Sequence, residues 1–294
     1  MKVGIVILNW NGAALTLDCL QSVRRAVLHM GTDFTSKIVI VDNGSAPPLR
    51  QQAPQLASAH DVTIIENEQN LGFAAGMNSG LSFIRDKDCD AVWLLNNDLT
   101  VAQTSLLALC KFKERHPHKL CIGSVVIDQK TGHVQTLGGY RYCTFLGVAK
   151  PIGRCSDPLD WHHENIHLDY VDGSALFIDA PKLMEIGGIP SENFLYYEEL
   201  NLAEALGGSS ALAVCLDSSI THRKGATTEK LPNFSASYFS TLAALRYSQE
   251  HARWALPVIF SLRLAAASYR DLLMLSVGHT GKVLAALKDF LNDR

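Results

Sequence analysis

The first hundred residues alternate between two hydrophobic periodicities. Continuous apolar runs at residues 3–8, 37–41, 62–65 and 91–95 predict buried strands. Between them, apolar residues recur with a helical period over residues 13–30 and again over residues 73–84. Strands that alternate with helices at this spacing are joined by right-handed crossovers, so the pattern predicts an α/β fold around a mostly parallel sheet.

The pattern changes after residue 120. Residues 122–127 and 175–178 predict two further short strands, while residues 138–169 are rich in Gly, His and Pro and predict one long functional loop. From residue 235 onward the pattern is helical and is interrupted at Pro257. We therefore divide the chain into a domain over residues 1–230 and a helical extension over residues 231–294.

Composition and charge exclude several classes of protein. The chain has 294 residues, 47% of them hydrophobic, which suffices for one large core with an appendage. Its net charge of −3 without a basic block argues against a nucleic-acid partner. The seven scattered cysteines fit reduced thiols, and no secretory signal pattern opens the chain, so we expect a cytoplasmic location.

The helical extension leaves three alternatives open. It carries seven Lys and Arg against four Asp and Glu, and Arg253, Arg263 and Arg270 interrupt its apolar stretches. Those charges disfavour a transmembrane helix. A basic amphipathic helix in peripheral contact with the inner membrane, a plain packing helix and a homodimer contact all fit the stripe that remains.

Polar side chains follow two of the predicted strands where those strands end. Residues 91–95 run into Asn96-Asn97-Asp98, and residues 37–41 run into Asp42. Ligands of open α/β sheets bind beyond such strand ends, and a cation on substrate phosphates needs only one or two carboxylates. Asp98 is thus a candidate metal ligand and Asp42 a candidate base or ribose contact. The alternatives are that Asp98 caps a following helix and that Asp42 belongs to an ordinary turn.

Three later segments carry candidate chemistry. The small residues at 72–76 open a helix whose amides face a phosphate, or else they allow close helix–sheet packing. Glu198 and Glu199 supply a general base at a helix start, or else they form a solvated helix end. His222 is a candidate ligand of a metal or a diphosphate.

Taken in this order, the segments resemble the family 2 glycosyltransferases with the GT-A fold, particularly the bacterial rhamnosyltransferase-like branch. The similarity spans about residues 3–250. It is carried by Ile5–Gly12, Ile40–Ser45, Asn70–Asn78, Leu94–Asp98, Gly173–Ala175, Phe194–Glu199 and His222–Gly225.

The resemblance implies a Rossmann-like, mostly parallel central sheet flanked by helices, with a C-terminal helical extension. Nucleotide binding falls to about residues 1–110 and acceptor binding to about residues 111–230. The implied reaction is an inverting transfer of a sugar from a dTDP-rhamnose-like or UDP-sugar donor to a hydroxyl of a glycan or lipid-linked acceptor. Such a reaction serves the synthesis of bacterial surface polysaccharide or glycolipid.

The resemblance also assigns roles. Glu199 matches the catalytic base, with Glu198 as its neighbour and alternative, and Asp98 and His222 hold Mg²⁺ or Mn²⁺ on the diphosphate. The nucleotide-sugar-binding positions are Asn9, Asn11, Asp42, Asn70, Gly72, Phe73, Asn78 and Asn97, with Asp42 on the nucleobase. A carboxyl of ordinary pKa is ionised at neutral pH, so we expect no special tuning of the base.

Three departures from the family pattern support a rival hypothesis. Asn96 stands where many members carry an Asp, Glu199 replaces the usual Asp, and Asn201 stands where a further Asp is common. A displacement of about 1 Å can cost roughly a hundredfold in rate. The rival is therefore a catalytically impaired homologue that binds a nucleotide-sugar or a partner. A nucleotidyltransferase or a Rossmann dehydrogenase fits less well, because no Gly-rich phosphate loop follows the first strand.

Overall fold

The computed structural model describes residues 1–32, 34–56, 59–84, 89–162, 166–223 and 235–293. It confirms the predicted α/β class and the C-terminal helices. The predicted boundary at 230/231, and Lys224 and Gly225 of the last resemblance segment, lie outside the described residues. The described strands are β1 (Lys2–Asn9), β2 (Thr35–Asn43), β3 (Val62–Asn67), β4 (Ala91–Asn96), β5 (Leu99–Val101), β6 (Cys121–Asp128), β7 (Val134–Thr136), β8 (Gly139–Cys143), β9 (Val148–Pro151), β10 (Tyr170–Val171), β11 (Ala175–Asp179) and β12 (Leu212–His222).

Nine helices accompany these strands within the described residues. They are α1 (Ala13–Leu28), α2 (Leu49–Gln52), α3 (Phe73–Ile84), α4 (Ser105–Arg115), α5 (Ala180–Glu185), α6 (Glu198–Ala205), α7 (Ser235–His251), α8 (Leu256–Met274) and α9 (Gly278–Asn292). Short 3₁₀ turns lie between some of them.

The main sheet is parallel in its N-terminal half and mixed beyond it. Its strand order is β3-β2-β1-β4-β11-β6-β12-β5, with β7 paired to β6. Strands β3, β2, β1 and β4 run parallel, whereas β11 pairs antiparallel with both β4 and β6. Parallel register aligns the strand ends, since Asn9 lies opposite Asp42 and Asp42 lies opposite Glu66. The polar residues that follow these strands consequently meet at one edge.

Each face of the main sheet buries its own hydrophobic core. Along β4, Trp93 and Leu95 face the core beneath α1 and α4, while Val92 and Leu94 face the core beneath α3. This alternation follows from the period of two in a strand, and burial on both faces explains why the run is continuously apolar. All four of these side chains are fully buried.

Two strands of a second, three-stranded sheet lie within residues 138–169, for which we predicted one long loop. Strands β10, β8 and β9 pair antiparallel in that order. The prediction of a loop was therefore wrong for residues 139–143 and 148–151. These strands were missed because they are short and half-exposed, so their stability comes from pairing with one another and with β10 rather than from an apolar run.

The C-terminal helices α7, α8 and α9 pack on one another around a small core of their own. Leu245, Ala286 and Phe290 are buried in it. Within the part of the chain that the structure describes, no helix combines the length and the apolar character needed to cross a bilayer.

Candidate active site

The ends of β1, β2 and β4 are joined by a buried network centred on Asn9. The Asn9 Nδ2 atom donates to Asp42 Oδ1 at 2.8 Å and to Ser45 Oγ at 3.1 Å. Its Oδ1 atom accepts from Thr16 Oγ1 at 2.8 Å and from Asn97 Nδ2 at 3.1 Å. Buried amides must find such partners, and Asn9 is fully buried. Asn9 and Asn97 therefore hold three loops together, and their predicted contact with the nucleotide remains a prediction.

The carboxylate of Asp42 is also used internally. Its Oδ2 atom accepts from the Leu49 amide at 2.6 Å, and its Oδ1 atom accepts from both Asn9 and Ser45. Only 2% of the residue is exposed. Three internal donors on a buried carboxylate favour the turn-forming alternative for Asp42, and its contact with a nucleobase remains a prediction. The neighbouring Asn11 closes the same loop, because its Oδ1 atom accepts from the Ala46 amide at 2.8 Å.

Asn43, which the sequence did not single out, ties the end of β2 to the loop before α3. Its Nδ2 atom donates to Asn70 Oδ1 at 3.0 Å and to the Gly72 carbonyl at 2.9 Å. Its Oδ1 atom accepts from Asn67 Nδ2 at 2.9 Å. The buried side-chain amide of Asn43, at the end of β2, thus fixes the conformation of the loop at Asn70 and Gly72.

The N-terminus of α3 packs against the chain and does not present its first amide to a ligand. The Phe73 amide donates to the Phe194 carbonyl at 3.0 Å, and a Cβ on Gly72 would lie 2.2 Å from that same oxygen. On the next turn, a Cβ on Gly76 would meet Asn43 and Leu8 at 2.8 Å. The small residues therefore serve close packing, and the expectation of a phosphate at this helix end was wrong for its first amide.

Asn78 lies further along α3 and is not among the residues that line the cavity described below. Its Nδ2 and Oδ1 atoms bond the carbonyl and the amide of Ile189, at 2.8 and 2.9 Å. Both halves of the side-chain amide are thereby used to fix a turn, and the prediction that Asn78 lines the nucleotide pocket gains no support.

Asp98 and His222 meet at the edge of the main sheet. The antiparallel pairing of β12 with β5 sets His222 opposite Leu99, which follows Asp98 directly. The His222 Nε2 atom lies 3.6 Å from Asp98 Oδ1, and that buried oxygen accepts no hydrogen bond from any described residue. Because β5 follows Asp98 and α4 begins only at Ser105, the alternative of a helix cap was wrong.

A divalent cation fits this pair. A buried carboxylate oxygen without a donor is costly unless a ligand satisfies it, and carboxylate oxygen and imidazole nitrogen are both metal ligands. The described residues contain no group of three or more acidic, His or Cys side chains that could hold an ion. Asp98 and His222 would consequently act as a two-residue site, in which diphosphate oxygens and water complete the coordination.

The Glu pair opens α6 after two strained tyrosines. Tyr196 and Tyr197 adopt positive φ values of 77° and 71°, in the left-handed region that non-glycine residues rarely occupy. Glu198 turns inward and is 2% exposed, whereas Glu199 remains partly open to the cavity. The alternative of a solvated helix end was wrong for Glu198.

Glu199 occupies the space that a side chain at residue 173 would need. A Cβ on Gly173 would lie 1.9 Å from Glu199 Oε1 and 2.7 Å from its carboxyl carbon. Loss of solvent contact, with a further contribution from the nearby charge of Asp172, raises the pKa of Glu199 to about 7. The expectation of an ordinary carboxyl pKa is thereby overturned.

Glu198 is tuned in the same direction. Burial, followed by repulsion from Glu199, raises the pKa of Glu198 well above its usual value. Its Oε1 atom is buried and has no hydrogen-bond partner among the described residues. Burial thus disfavours the charged form of Glu198, and Glu199 is the member of the pair that is more open to the cavity.

These residues line a cavity of about 440 Å³, which we call the central cavity. Its polar lining comprises the acids Asp172, Glu198 and Glu199, the bases His222 and Arg263, five tyrosines at 140, 142, 170, 196 and 197, and also Asn96, Gln135 and Ser174. Phe73 lies at the same surface. The cavity thus brings together a base, an imidazole and an aromatic wall.

The tyrosines form two groups in the wall. Tyr140 and Tyr170 stack with ring centroids 5.1 Å apart, and the Tyr140 hydroxyl donates to Asp172 Oδ2 at 3.0 Å. On the other side, Tyr142 and Tyr197 meet edge to face at 5.9 Å, and Tyr247 of α7 packs on both. Flat aromatic faces of this kind suit the apolar face of a sugar.

The C-terminal helices contribute directly to the loop that carries the Glu pair. Arg263 of α8 donates from Nη2 to the Tyr197 hydroxyl at 3.0 Å, and Tyr142 donates to the same oxygen at 3.2 Å. Phe239 of α7 stacks on Phe194 with ring centroids 4.7 Å apart. The extension therefore supports the residues that precede Glu198.

Comparison with known proteins identifies the family. A sequence model described as "Glycosyl transferase family 2" matches residues 4–164, which is more than half of the chain. The chain belongs to glycosyl transferase family 2. This family 2 glycosyltransferase shares 22% sequence identity with an N-acetylglucosaminyl-diphospho-decaprenol L-rhamnosyltransferase of Mycobacterium tuberculosis. The matched region covers 85% of this chain and 87% of the relative.

Solved structures support the GT-A fold of this family 2 glycosyltransferase. A Staphylococcus aureus TarS fragment in complex with UDP-GlcNAc superposes with a TM-score of 0.59 at 15% identity, covering 99% of this chain and 80% of the other. The mannosyltransferase PcManGT of Pyrobaculum calidifontis, in complex with GDP-Man and Mn²⁺, gives a TM-score of 0.58 at 15% identity, with 99% and 87% covered.

The fold of this family 2 glycosyltransferase therefore brings some of the predicted site residues to the central cavity and places others elsewhere. The predicted residues that line the central cavity are Phe73, Glu198, Glu199 and His222. Hydrogen bonds within the protein instead use the side chains of Asn9, Asp42, Asn78 and Asn97. Asn201 lines a different cavity, together with Arg246 and Glu204. Asp172, Tyr140, Tyr142, Tyr170 and Arg263 also line the central cavity and were not assigned to the site from the sequence. Asp172 could have been found from the sequence, because it directly precedes the Gly173–Ala175 segment of the family resemblance. No sequence motif around Arg263 indicates that it belongs to the site.

Proposed function

We propose that this family 2 glycosyltransferase moves a sugar from a nucleotide-diphosphate donor to an acceptor hydroxyl and inverts the anomeric centre, with Glu199 as the base. One observation carries the proposal: Glu199 and His222 line the same central cavity, and the His222 Nε2 atom lies 3.6 Å from Asp98 Oδ1. The donor is a dTDP-rhamnose-like sugar or a UDP-sugar, in keeping with the rhamnosyltransferase relative and with the UDP-GlcNAc complex of TarS.

The proposed reaction is a direct displacement. Glu199 takes the proton of the acceptor hydroxyl while that oxygen forms a bond to the anomeric carbon, and the bond from this carbon to the diphosphate oxygen breaks. Attack from the face opposite the leaving group inverts the centre. A base whose pKa lies near the working pH combines a useful deprotonated fraction with useful basicity, and the raised pKa of Glu199 meets that condition.

Other residues orient the reactants. Gly173 leaves room for the Glu199 carboxylate, and Asp172 is held by Tyr140 and by the Ser174 amide. A bound Mg²⁺ or Mn²⁺ would neutralise charge that develops on the departing diphosphate. Asp98 and His222 are the residues that would hold it, and a single protein carboxylate predicts modest affinity.

We further propose a lipid-linked or glycan acceptor in the synthesis of a bacterial surface polysaccharide or glycolipid. The support is the relative from M. tuberculosis, whose name specifies a diphospho-decaprenol acceptor. Peripheral contact with the inner membrane belongs to the same proposal, and its basis is developed below.

The deciding experiment follows release of nucleotide diphosphate from a panel of nucleotide-sugars with Mn²⁺. We expect slow hydrolysis of one donor by the wild type and its loss in Asp98→Ala. Asp217→Ala is the matched control, because Asp217 is an exposed carboxylate on the same strand as His222. Binding of every donor without turnover, whatever the acceptor, would instead identify an impaired homologue. Retention of the donor's anomeric configuration in the transfer product would refute the inverting mechanism.

A further inference from the structure

A second depression opens next to the central cavity, between the 146–148 loop and helices α7, α8 and α9. It has a volume of about 260 Å³, and we call it the α8 groove. Its apolar lining includes Leu146, Val148 and Leu262, and its polar lining includes Thr241, Arg263 and Arg270. The groove is therefore apolar along one side and cationic along α8.

The two arginines of the α8 groove have no carboxylate partner among the described residues. Arg24, Arg50, Arg141 and Arg246 each form an ion pair with a carboxylate. Arg263 and Arg270 form none with any described residue, and no Asp or Glu is among the described residues that line the groove. The Arg263 Nε atom is buried without a hydrogen-bond acceptor. Arg263 donates to the Tyr197 hydroxyl, the Gly147 carbonyl and the Ser240 hydroxyl, which are all neutral acceptors. Two guanidinium groups without a carboxylate partner among the described residues therefore border one site.

The spacing on α8 brings these cations to one side of the helix. Residues seven apart lie two turns apart on the same face, so Arg263 and Arg270 both face the groove with Ala266 and Ala267 between them. Guanidinium groups bind phosphate oxygens in a bidentate manner, and hydroxyls such as that of Thr241 add donors. The chemistry of the α8 groove thus suits a phosphate or diphosphate.

The α8 groove communicates with the central cavity. Gly147 and Arg263 line both, so an anion held at Arg263 lies at the boundary between them. A sugar attached directly to that anion would extend into the cavity that Glu199 borders. This continuity distinguishes the groove from an isolated surface depression.

An apolar surface continues from the other end of the groove. Beyond Arg270, α8 ends in a run of exposed apolar side chains at Leu272, Leu273, Met274, Leu275 and Val277, which are 64–93% exposed. Soluble surfaces rarely leave so many neighbouring apolar side chains in water, and such patches mark contacts with lipid or protein. Arginines beside an apolar edge match a lipid whose head group is a phosphate.

We propose that the α8 groove binds the phosphate group and the adjoining apolar chain of a lipid-phosphate-linked acceptor, with residues 272–277 lying against the lipid surface. The inference rests on the proposed transferase function, because it places the acceptor sugar at Glu199. Arg263 and Arg270 hold the phosphate, and the groove wall formed by Leu146, Val148 and Leu262 receives the first part of the lipid chain.

Flotation of the full chain with vesicles tests the proposal. The vesicles are phosphatidylcholine alone, phosphatidylcholine with a polyprenyl phosphate, and phosphatidylcholine with phosphatidylglycerol at the same surface charge. We expect binding chiefly to the polyprenyl phosphate vesicles. Arg270→Glu should weaken it about ten- to a hundredfold, as expected for loss of hydrogen bonds between charged groups. Arg253→Glu is the matched control, because Arg253 is also exposed on the extension but lies outside the groove.

The apolar edge has its own pair of variants. Leu272→Gln should weaken binding to the polyprenyl phosphate vesicles, whereas Leu28→Gln should not, since Leu28 is even more exposed than Leu272 but lies on α1. Equal losses in Arg253→Glu and Arg270→Glu, or equal binding to phosphatidylglycerol vesicles, would overturn the proposal in favour of general charge attraction.

The vesicle assay separates this proposal from the proposed function. If the wild type releases no nucleotide diphosphate but still binds polyprenyl phosphate through Arg270, the transferase proposal fails and the groove stands. If donor turnover depends on Asp98 while no vesicle is bound, the groove proposal fails and the transferase stands.

Discussion

Replacing Gly173 with Ala should displace the proposed base without unfolding the protein. The added Cβ would lie 1.9 Å from Glu199 Oε1, whereas ordinary contact begins at 3.4 Å. The backbone at Gly173 does not have a positive φ, and the nearest atoms belong to the end of a flexible side chain. The Glu199 carboxylate must therefore retreat by about 1.5 Å.

A retreat of that size predicts a large kinetic effect and a small thermodynamic one. Misplacement by about 1 Å can lower a rate roughly a hundredfold, so we expect kcat to fall by about two orders of magnitude. The free energy of unfolding should change by less than about 1.5 kcal/mol, because only one side chain repacks. Donor affinity should stay near that of the wild type, since Asp98 and His222 are untouched.

The assay combines steady-state transfer kinetics with urea unfolding of the same preparations. Gly281→Ala is the matched control: a Cβ there meets nothing within 4 Å, so it should leave kcat unchanged and, as a Gly-to-Ala change in a helix, slightly stabilise α9. Wild-type kcat in Gly173→Ala would refute the argument that Glu199 must occupy this position. A loss of activity that merely tracks a loss of folded protein would also refute it.

Two further predictions concern the base and the buried network. Glu199→Gln should lower kcat by about 10²- to 10⁴-fold while donor affinity persists. Glu198→Gln should retain most activity, because burial already disfavours the charged form of Glu198. Full activity in Glu199→Gln would move the assignment of the base to Glu198. Because the base works when deprotonated, kcat/KM of the wild type should rise with pH through about 7 and then level off, and a flat profile from pH 5 to 9 would contradict this. Asn9→Ala should lower the free energy of unfolding by about 2–4 kcal/mol in urea titrations, since it leaves several buried partners unsatisfied, while the same change at the half-exposed Asn67 should cost less.

Apolar periodicity predicted the elements of the N-terminal half because each of them carries its own apolar pattern, which can be recognised without knowing its partners in the fold. The helix at 73–84 agrees with α3 at both ends, and β1, β2 and β4 extend the predicted strands by only one or two residues. Strand β5 escaped prediction, since a three-residue strand depends on its ladder to β12, whose Ile220 pairs with Val101 from 119 positions away. A local pattern carries no information about such a partner.

The site was predictable in location and only partly in role. Parallel register makes polar strand ends converge, and Asn9, Asp42 and Asn97 do meet. Whether an Asn or Asp there binds a ligand or its own neighbours depends on which donors the fold brings within 3 Å, and the sequence does not reveal that. The raised pKa of Glu199 has the same origin, because it arises from burial and from Asp172, 27 positions earlier in the chain.

The left-handed pair Tyr196 and Tyr197 has a consequence for recombining relatives of this protein. Each such residue costs about 1–2 kcal/mol, and side chains from α7 and α8 hold the pair in place through Phe194 and the Tyr197 hydroxyl. A chimera that takes its C-terminal helices from another member would lose this support while keeping every residue proposed for the chemistry. An exchange of the C-terminal helices to alter acceptor choice must therefore include the 193–199 loop. The helices and this loop have to be transferred together, although they are separated in the chain.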